Sequence, residues 1–352
     1  LHRAKFTTQF RVILSASLPT HLKGKPTMTD SIRWGILSTA NIGIKRVIPA
    51  IKKATNGTVH AIASRNYERA SEVASQFDIP VVHGNYEDLL ADDTVDAIYI
   101  PLPNSMHMEW AIKCAQAGKP TLCEKPLASN ATEAQKMVDT FADAEILFAE
   151  AFMYRFHPQN QRAREMVAEG AIGDPHIMNA SFCFRLTDEE NIRLSRELAG
   201  GALMDVGCYC VNAMRFITGE EPTKAVAFAR VGADNGVDED VTGILEFPSG
   251  MRGHFDASLR TFRVHTYEVR GTCGRLLLPT SFVPDPTQPT TIHYWHDDSY
   301  EVIEIDPVDH YQLMVEDFAD ALINNRAPRF APQDAVHNMQ AIDKLLASAG
   351  VR

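Results

Sequence analysis

Between residues 32 and 149 short strand-forming runs alternate with stretches of helical pattern, which predicts βαβ units and a parallel sheet. The predicted strands are 32–37, 58–64, 81–83, 97–100, 121–124 and 146–149. The clearest helices between them are 42–54, 67–77, 106–117 and 131–142, the last opened by Asn130 as N-cap with Glu133 three residues later. Past residue 151 the rhythm changes. A helix is expected over 157–169, a turn over 170–174 and a strand over 176–185. Strands at 225–231, 241–247, 252–258, 267–271 and 275–278 then follow one another without helices, so an antiparallel meander is expected. Two terminal helices, 310–324 and 332–349, return to cover this sheet or the first domain. The fold class is therefore α/β with a parallel sheet, followed by an α+β domain with a large, mostly antiparallel open sheet.

A chain of 352 residues exceeds what one hydrophobic core supports, and the expected division is an extension over 1–30, a first domain over 31–150 and a second over 151–352. Formal charge is -11, from 34 Lys plus Arg against 45 Asp plus Glu, so the average field opposes nucleic acid and anionic membrane. A small-molecule partner is expected instead. None of the six cysteines has zinc-ligand spacing, and no apolar run reaches the ~18 residues a spanning helix needs. Reduced thiols, no metal and a cytoplasmic location are expected. Residues 2–25 are basic, with an apolar stretch at 12–18 interrupted by serine, and leave periplasmic export as the alternative.

The first strand runs into Ser38, Thr39, Ala40, Asn41, Ile42 and Gly43, where a Rossmann G-x-G-x-x-G loop belongs. Only the last glycine is kept, but serine and alanine are small enough to let backbone approach a pyrophosphate at the helix N-terminus. The next strand ends at Ser64 and Arg65, about 20 residues on, where an NAD enzyme places a carboxylate on the ribose. A guanidinium there pairs with a 2′-phosphate, which makes NADP the expected cofactor and NAD a weaker one.

Three further segments carry chemistry: Pro101, Leu102, Pro103 and Asn104 with His107; Glu124, Lys125 and Pro126; and Gly200, Gly201, Asp205 and Tyr209. Lys125 ends a parallel strand, where open α/β sheets place ligands, and Asp205 and Tyr209 are four apart, on one helix face. Together these residues resemble the glucose-fructose oxidoreductase and inositol 2-dehydrogenase (Gfo/Idh/MocA) family from Ile32 to the C-terminus. Tyrosine at 209, Asn191 to Arg193, and the run from Ala151 through Arg155 and His157 are most similar to the branch of NADP-linked D-xylose dehydrogenases and dimeric dihydrodiol dehydrogenases.

The resemblance implies Lys125, Tyr209 and Asp205 as catalytic residues. It adds Pro101, Leu102, Asn104, His107 and Glu124 to the cofactor site, and it makes Arg155, His157 and Arg193 substrate contacts. It also implies a cis Lys125–Pro126 peptide. Tyr209 and Lys125 suit the roles of base and alkoxide-stabilising cation, with the ammonium stabilising phenolate. The expected activity is NADP-dependent oxidation of an aldose, pentose or hexose, at the anomeric carbon. Alternatives are an enzyme that holds NADP and alternates two sugars, a trans-dihydrodiol dehydrogenase, and a sensor without turnover. Segments 185–193 and 284–296 are the loops expected to set specificity. A mixed pattern on both faces of 241–247, together with the family resemblance, predicts a homodimer or homotetramer packed through the second sheet.

Overall fold

Strand β1 (Ile32–Leu37) buries every residue fully except Arg33, the mark of a strand covered on both faces. The computed structural model describes residues 31–352, and the expected extension over 1–30 lies outside the described residues. From β1 the chain runs through α1 (Ile48–Lys53), β2 (Gly57–Ala63), α2 (Tyr67–Phe77), β3 (Val81–His83) and α3 (Tyr86–Leu90). It then crosses to β4 (Ala97–Ile100), α4 (His107–Gln116), β5 (Thr121–Glu124), α5 (Ala131–Asp143) and β6 (Phe148–Ala151). All pairs in this sheet are parallel, in the order β3-β2-β1-β4-β5-β6. The winding direction reverses between β1 and β4, and a ligand crevice opens beyond the carboxyl ends of strands at such a point.

The second sheet follows α6 (Pro158–Ala168) and is formed by β7 (Pro175–Arg185), then, after α7 (Cys208–Thr218), by β8 (Lys224–Val231), β9 (Asp238–Glu246), β10 (Arg252–Ser258), β11 (Arg260–Gly271), β12 (Gly274–Leu278), β13 (Thr290–His296) and β14 (Ser299–Ile305). Its order is β14-β13-β12-β11-β7-β10-β9-β8. The expected meander is interrupted, because β7 inserts between β10 and β11 and pairs parallel with β10. Helices α8 (His310–Ile323) and α9 (Pro332–Ser348) return to the first sheet. Asn56 Nδ2 donates to Glu316 O at 2.9 Å, Trp34 packs on Phe318 with ring centroids 5.3 Å apart, and Ala131 N donates to Asp343 at 2.8 Å.

Several boundaries differ from expectation for local reasons. Asn130 caps α5 as anticipated, accepting from Glu133 N at 2.9 Å, a contact that stabilises a helix by about 1 kcal/mol. The strand expected at 146–149 begins at Phe148 and runs on to Ala151, because Ile146 N still closes the end of α5 on Phe141 O. Its continuation was masked by buried, charged Glu150. Helix α3 has five residues, too few for a period to show. Segment 284–296 is not a free loop, since β13 occupies its second half and pairs with β14.

His157 and His310 are buried side by side, with ring centroids 5.8 Å apart. Neither ring nitrogen of His310 has a hydrogen-bond partner. Burial lowers the pKa of His157 to about 4, and burial, then the neighbouring His157 and Arg46, lower that of His310 to about 3. Above pH ~6.5 both rings are neutral folded or unfolded; below it the unfolded chain takes up protons that the fold refuses until the folded pKa is reached. Stability is thus expected to fall between pH ~6.5 and ~4. Thermal melts at about pH 7.5 and about pH 5 should show a smaller loss for His310→Leu than for the parent, and an equal loss would contradict this assignment.

Candidate active site

A cavity of about 830 Å³ opens at the crevice between β1 and β4. Ser38, Thr39, Ala40, Asn41 and Ile42 form one wall. Ser38 holds φ at 136°, a region that glycine enters freely and serine does not, and its Oγ accepts from Ala40 N at 3.2 Å. A continuous helix over 41–53 begins there, with its second turn widened to π geometry, and its first amides lack intrahelical acceptors. That end of the helix carries a partial positive charge suited to a pyrophosphate.

Ser64 and Arg65, at the end of β2, line the same cavity. Asn66 N donates to Ser64 Oγ at 3.1 Å, while Asn66 Oδ1 caps α2 by accepting from Arg69 N at 2.8 Å. This cap brings Arg69 to the cavity beside Arg65, so two guanidiniums stand at one end. On the other wall are Pro101, Leu102 and Asn104. Asn104 Nδ2 donates to Ala199 O at 2.9 Å, linking this wall to the second domain.

At the end of β5 the Lys125–Pro126 peptide is cis, as expected. Lys125 Nζ donates to Asp205 O at 2.8 Å and to Asp205 Oδ1 at 3.3 Å, and Arg193 Nε donates to Asp205 Oδ2 at 2.6 Å. Burial acts to raise the carboxyl's pKa, but Arg193 and Lys125 outweigh it and hold Asp205 at about 2. Burial likewise acts to lower the Lys125 pKa, yet the fields of Asp205, Cys208 and Glu124 raise it above the ordinary lysine range. The result is a cation, anion, cation row, largely buried at Lys125 and Asp205 and more exposed at Arg193. Glu124 lies beneath it, accepting from Tyr99 Oη at 2.6 Å, and its pKa is raised chiefly by burial.

Tyr209 faces this row from the helix that also carries Asp205. Lys125 Nζ stands 5.0 Å from the centroid of the Tyr209 ring, while the hydroxyl is 3.5 Å from the Met153 sulfur. The expected stabilisation of phenolate by the ammonium is therefore not what this geometry gives. Asp205 takes the lysine's hydrogen bonds, and burial raises the Tyr209 pKa well above its ordinary value. Tyr209 rests as a neutral phenol.

Three expected site residues lie elsewhere. His107 has no exposed surface and faces Leu102 O and Pro126 O from below the cavity, so it makes no direct contact with a ligand there. Arg155 is buried against Asp334 at 2.5 Å and Glu150 at 3.7 Å. His157 caps α6, accepting from Gln159 N at 3.2 Å, and packs on His310. Segment 284–296 does not line the cavity either, whereas Asp188, Glu190, Asn191 and Ile192 of segment 185–193 do. Asn212, farther along the same helix, accepts from Tyr154 Oη at 2.6 Å.

Sequence reasoning passed over Arg69, Phe182, Phe184 and Tyr311, all of which line the cavity. A second arginine four residues past Arg65 was a readable signal, and so was the two-residue spacing of Phe182 and Phe184 on one strand. Tyr311 carried none, because only the return of α8 brings it there.

The family model described as "Oxidoreductase family, NAD-binding Rossmann fold" matches residues 32–152, and the GFO/IDH/MocA C-terminal domain model matches residues 160–277. The chain is 42% identical to D-xylose 1-dehydrogenase (NADP(+)) 2 of Haloferax volcanii over 317 residues, covering 90% of this chain and 97% of the relative. It is 34% identical to trans-1,2-dihydrobenzene-1,2-diol dehydrogenase of Mus musculus over 261 residues, covering 72% and 78% respectively. A solved structure of a 3-ketoreductase from Actinomadura kijaniata in complex with NADP and TDP-benzene superposes with a TM-score of 0.86 at 30% identity, covering 90% of this chain and 98% of that one.

The paired glycines explain how Arg193 reaches Asp205. A Cβ on Gly200 would stand 2.3 Å from Arg193 O, and one on Gly201, at φ 117°, would stand 2.2 Å from Asp238 Oδ1. The turn bearing Arg193 can lie against the start of the helix that carries Asp205 and Tyr209 only because no side chain intervenes. Gly200→Ala should displace that turn and raise the KM for substrate by about 10-fold, with dinucleotide affinity changed less than about 2-fold. Steady-state kinetics with a fluorescence titration of NADPH would check this, and an unchanged KM would refute it.

Proposed function

Because the chain belongs to the GFO/IDH/MocA oxidoreductase family, we propose that it oxidises an aldose at its anomeric carbon to the aldonolactone, with NADP as hydride acceptor. The observation that carries the proposal is the meeting of Lys125, from the first sheet, with Asp205 and Tyr209, from the second domain, in one cavity that continues into a dinucleotide cleft. Identity to a D-xylose 1-dehydrogenase points to a pentose of that kind.

NADP fits the residues present. Arg65 and Arg69 would hold the 2′-phosphate, the amides that follow Ser38 the pyrophosphate, and no carboxylate stands at the end of β2 to repel either. When bound, the oxidised nicotinamide supplies the acceptor for the hydride leaving the sugar carbon. Lys125, kept cationic by Asp205, stabilises negative charge as it develops on the sugar oxygen. Tyr209 takes the hydroxyl proton, and Arg193 orients the sugar. Since Tyr209 rests protonated, oxidation requires its phenolate, and kcat/KM for oxidation rises with pH through the neutral and alkaline range while reduction, which uses the phenol itself, stays level. Phe182, Phe184 and Leu198 give the outer cavity an apolar wall, which also favours a cyclic trans-diol as a second substrate.

Initial rates with a panel of aldoses, a trans-dihydrodiol, NADP+ and NAD+ test the proposal. NADP+ reduction by a pentose is expected, with Tyr209→Phe and Lys125→Ala each losing about 100-fold or more in kcat while still binding NADPH. Silence across the panel, or full activity in either variant, would sink it.

The outer face of the second sheet is proposed to be covered by another copy of the chain. Val226 and Ile244 sit opposite each other on β8 and β9, and Phe228 beside them is 79% exposed. Light scattering at micromolar concentration should return at least a dimer, and a monomer mass would exclude this packing. Reduced cysteines, with all but Cys273 of the six buried, agree with the cytoplasm as its location.

A further inference from the structure

Lys125 leaves the sheet on a loop, and a loop side chain is only as well placed as the backbone that carries it. That backbone is gripped from behind by two buried side chains that do not line the cavity. His107 sets Nδ1 3.1 Å from Pro126 O and Nε2 2.8 Å from Leu102 O. Glu150, a strand away on β6, accepts the Leu127 N–H at 3.1 Å through Oε1. The Pro126 and Leu127 contacts fall on the two residues that follow Lys125, and the other ring nitrogen of His107 faces the wall of the dinucleotide cleft.

Neither side chain has a better explanation nearby. The other oxygen of Glu150 has no hydrogen-bond partner, and its nearest cation, Arg155, lies 3.7 Å away and is held more closely by Asp334 at 2.5 Å. Asp334 makes the closer pair with Arg155 while also pairing with Arg215 at 2.8 Å, and the closest contact of the Glu150 side chain is the Leu127 amide. His107 faces two carbonyl oxygens, although a neutral imidazole has a single N–H to donate. Apolar residues of similar volume would remove both awkward groups, since a buried polar atom left unpaired is destabilising.

We propose that His107 and Glu150 form a clamp that holds the Lys125 loop and sets its spacing from the Leu102 wall, as positioning residues for the oxidation. This rests on the reading of Lys125 as the catalytic cation. The clamp acts through backbone, so what matters at position 150 is an acceptor for the Leu127 N–H and not a negative charge.

The test uses the full chain with NADP+ and D-xylose, with kcat expressed per NADPH-binding site from a fluorescence titration. His107→Phe and Glu150→Leu should each lower kcat by about 100-fold, with the KM for D-xylose within about 3-fold of the parent. Glu150→Gln, whose amide oxygen still accepts the Leu127 N–H, should recover kcat to within about 5-fold. A merely structural role would reduce the number of binding sites and leave kcat per site unchanged. Should Glu150→Leu fail to fold, a parent-like kcat in His107→Phe overturns the clamp, as does a Glu150→Gln enzyme that folds and is as slow as Lys125→Ala. Lys125→Ala separates the two claims: if it is inactive while His107→Phe and Glu150→Leu turn over normally, only the clamp fails, and if it is active, the reading of Lys125 itself has failed.

Discussion

The ammonium of Lys125 and the carboxylate of Asp205, 80 residues apart in the chain, meet in a largely buried contact that joins two separately built sheets at the proposed reaction centre. A buried pair of this kind is a poor source of stability, because desolvation offsets much of the attraction. Its value here is charge placement. Asp205 raises the Lys125 pKa against the opposing effect of burial, and Arg193 completes the compensation from the other side. The remaining architecture serves that contact: the double glycine admits the Arg193 turn, and α8 and α9 clasp the second domain to the first.

The cavity divides its work along its length. At one end two guanidiniums and a helix N-terminus line the cavity, Arg69 held by Glu72 at 2.9 Å, a setting for phosphate groups. At the other end the charges satisfy one another, and the walls turn aromatic around Tyr209, whose ring meets Phe152 and Phe182 edge-on at 4.8 and 5.1 Å. A neutral phenol enclosed by aromatic rings beside a fixed cation is ready to give a proton. To accept one it must first lose its own, which makes the proposed oxidation, and not its reverse, depend on pH.

Much of this was legible in the sequence, because the strands and helices of the first sheet follow hydrophobic periods that burial then enforces. The strand ends at Ser64-Arg65 and at Glu124-Lys125 marked the cleft for the same reason, since their position after a parallel strand determines where they point. What stayed hidden depends on contacts between distant segments. Arg155, His157 and His107 stand beside recognisable motifs and carry reactive side chains, yet each is turned inward to satisfy a buried partner. The hairpin of β13 and β14 was missed because its strands mix aromatic, histidine and acidic residues, with much of that surface exposed. Tyr311 entered the site only through the return of α8.

A kinetic double-mutant cycle across the Lys125–Asp205 contact tests the central claim most directly. With Lys125→Met, Asp205→Asn and the double variant assayed for NADP+ reduction, the account predicts that the double variant loses no more turnover than Lys125→Met alone, since Asp205 acts by holding that ammonium. Losses that multiply would show two independent contributions and contradict it.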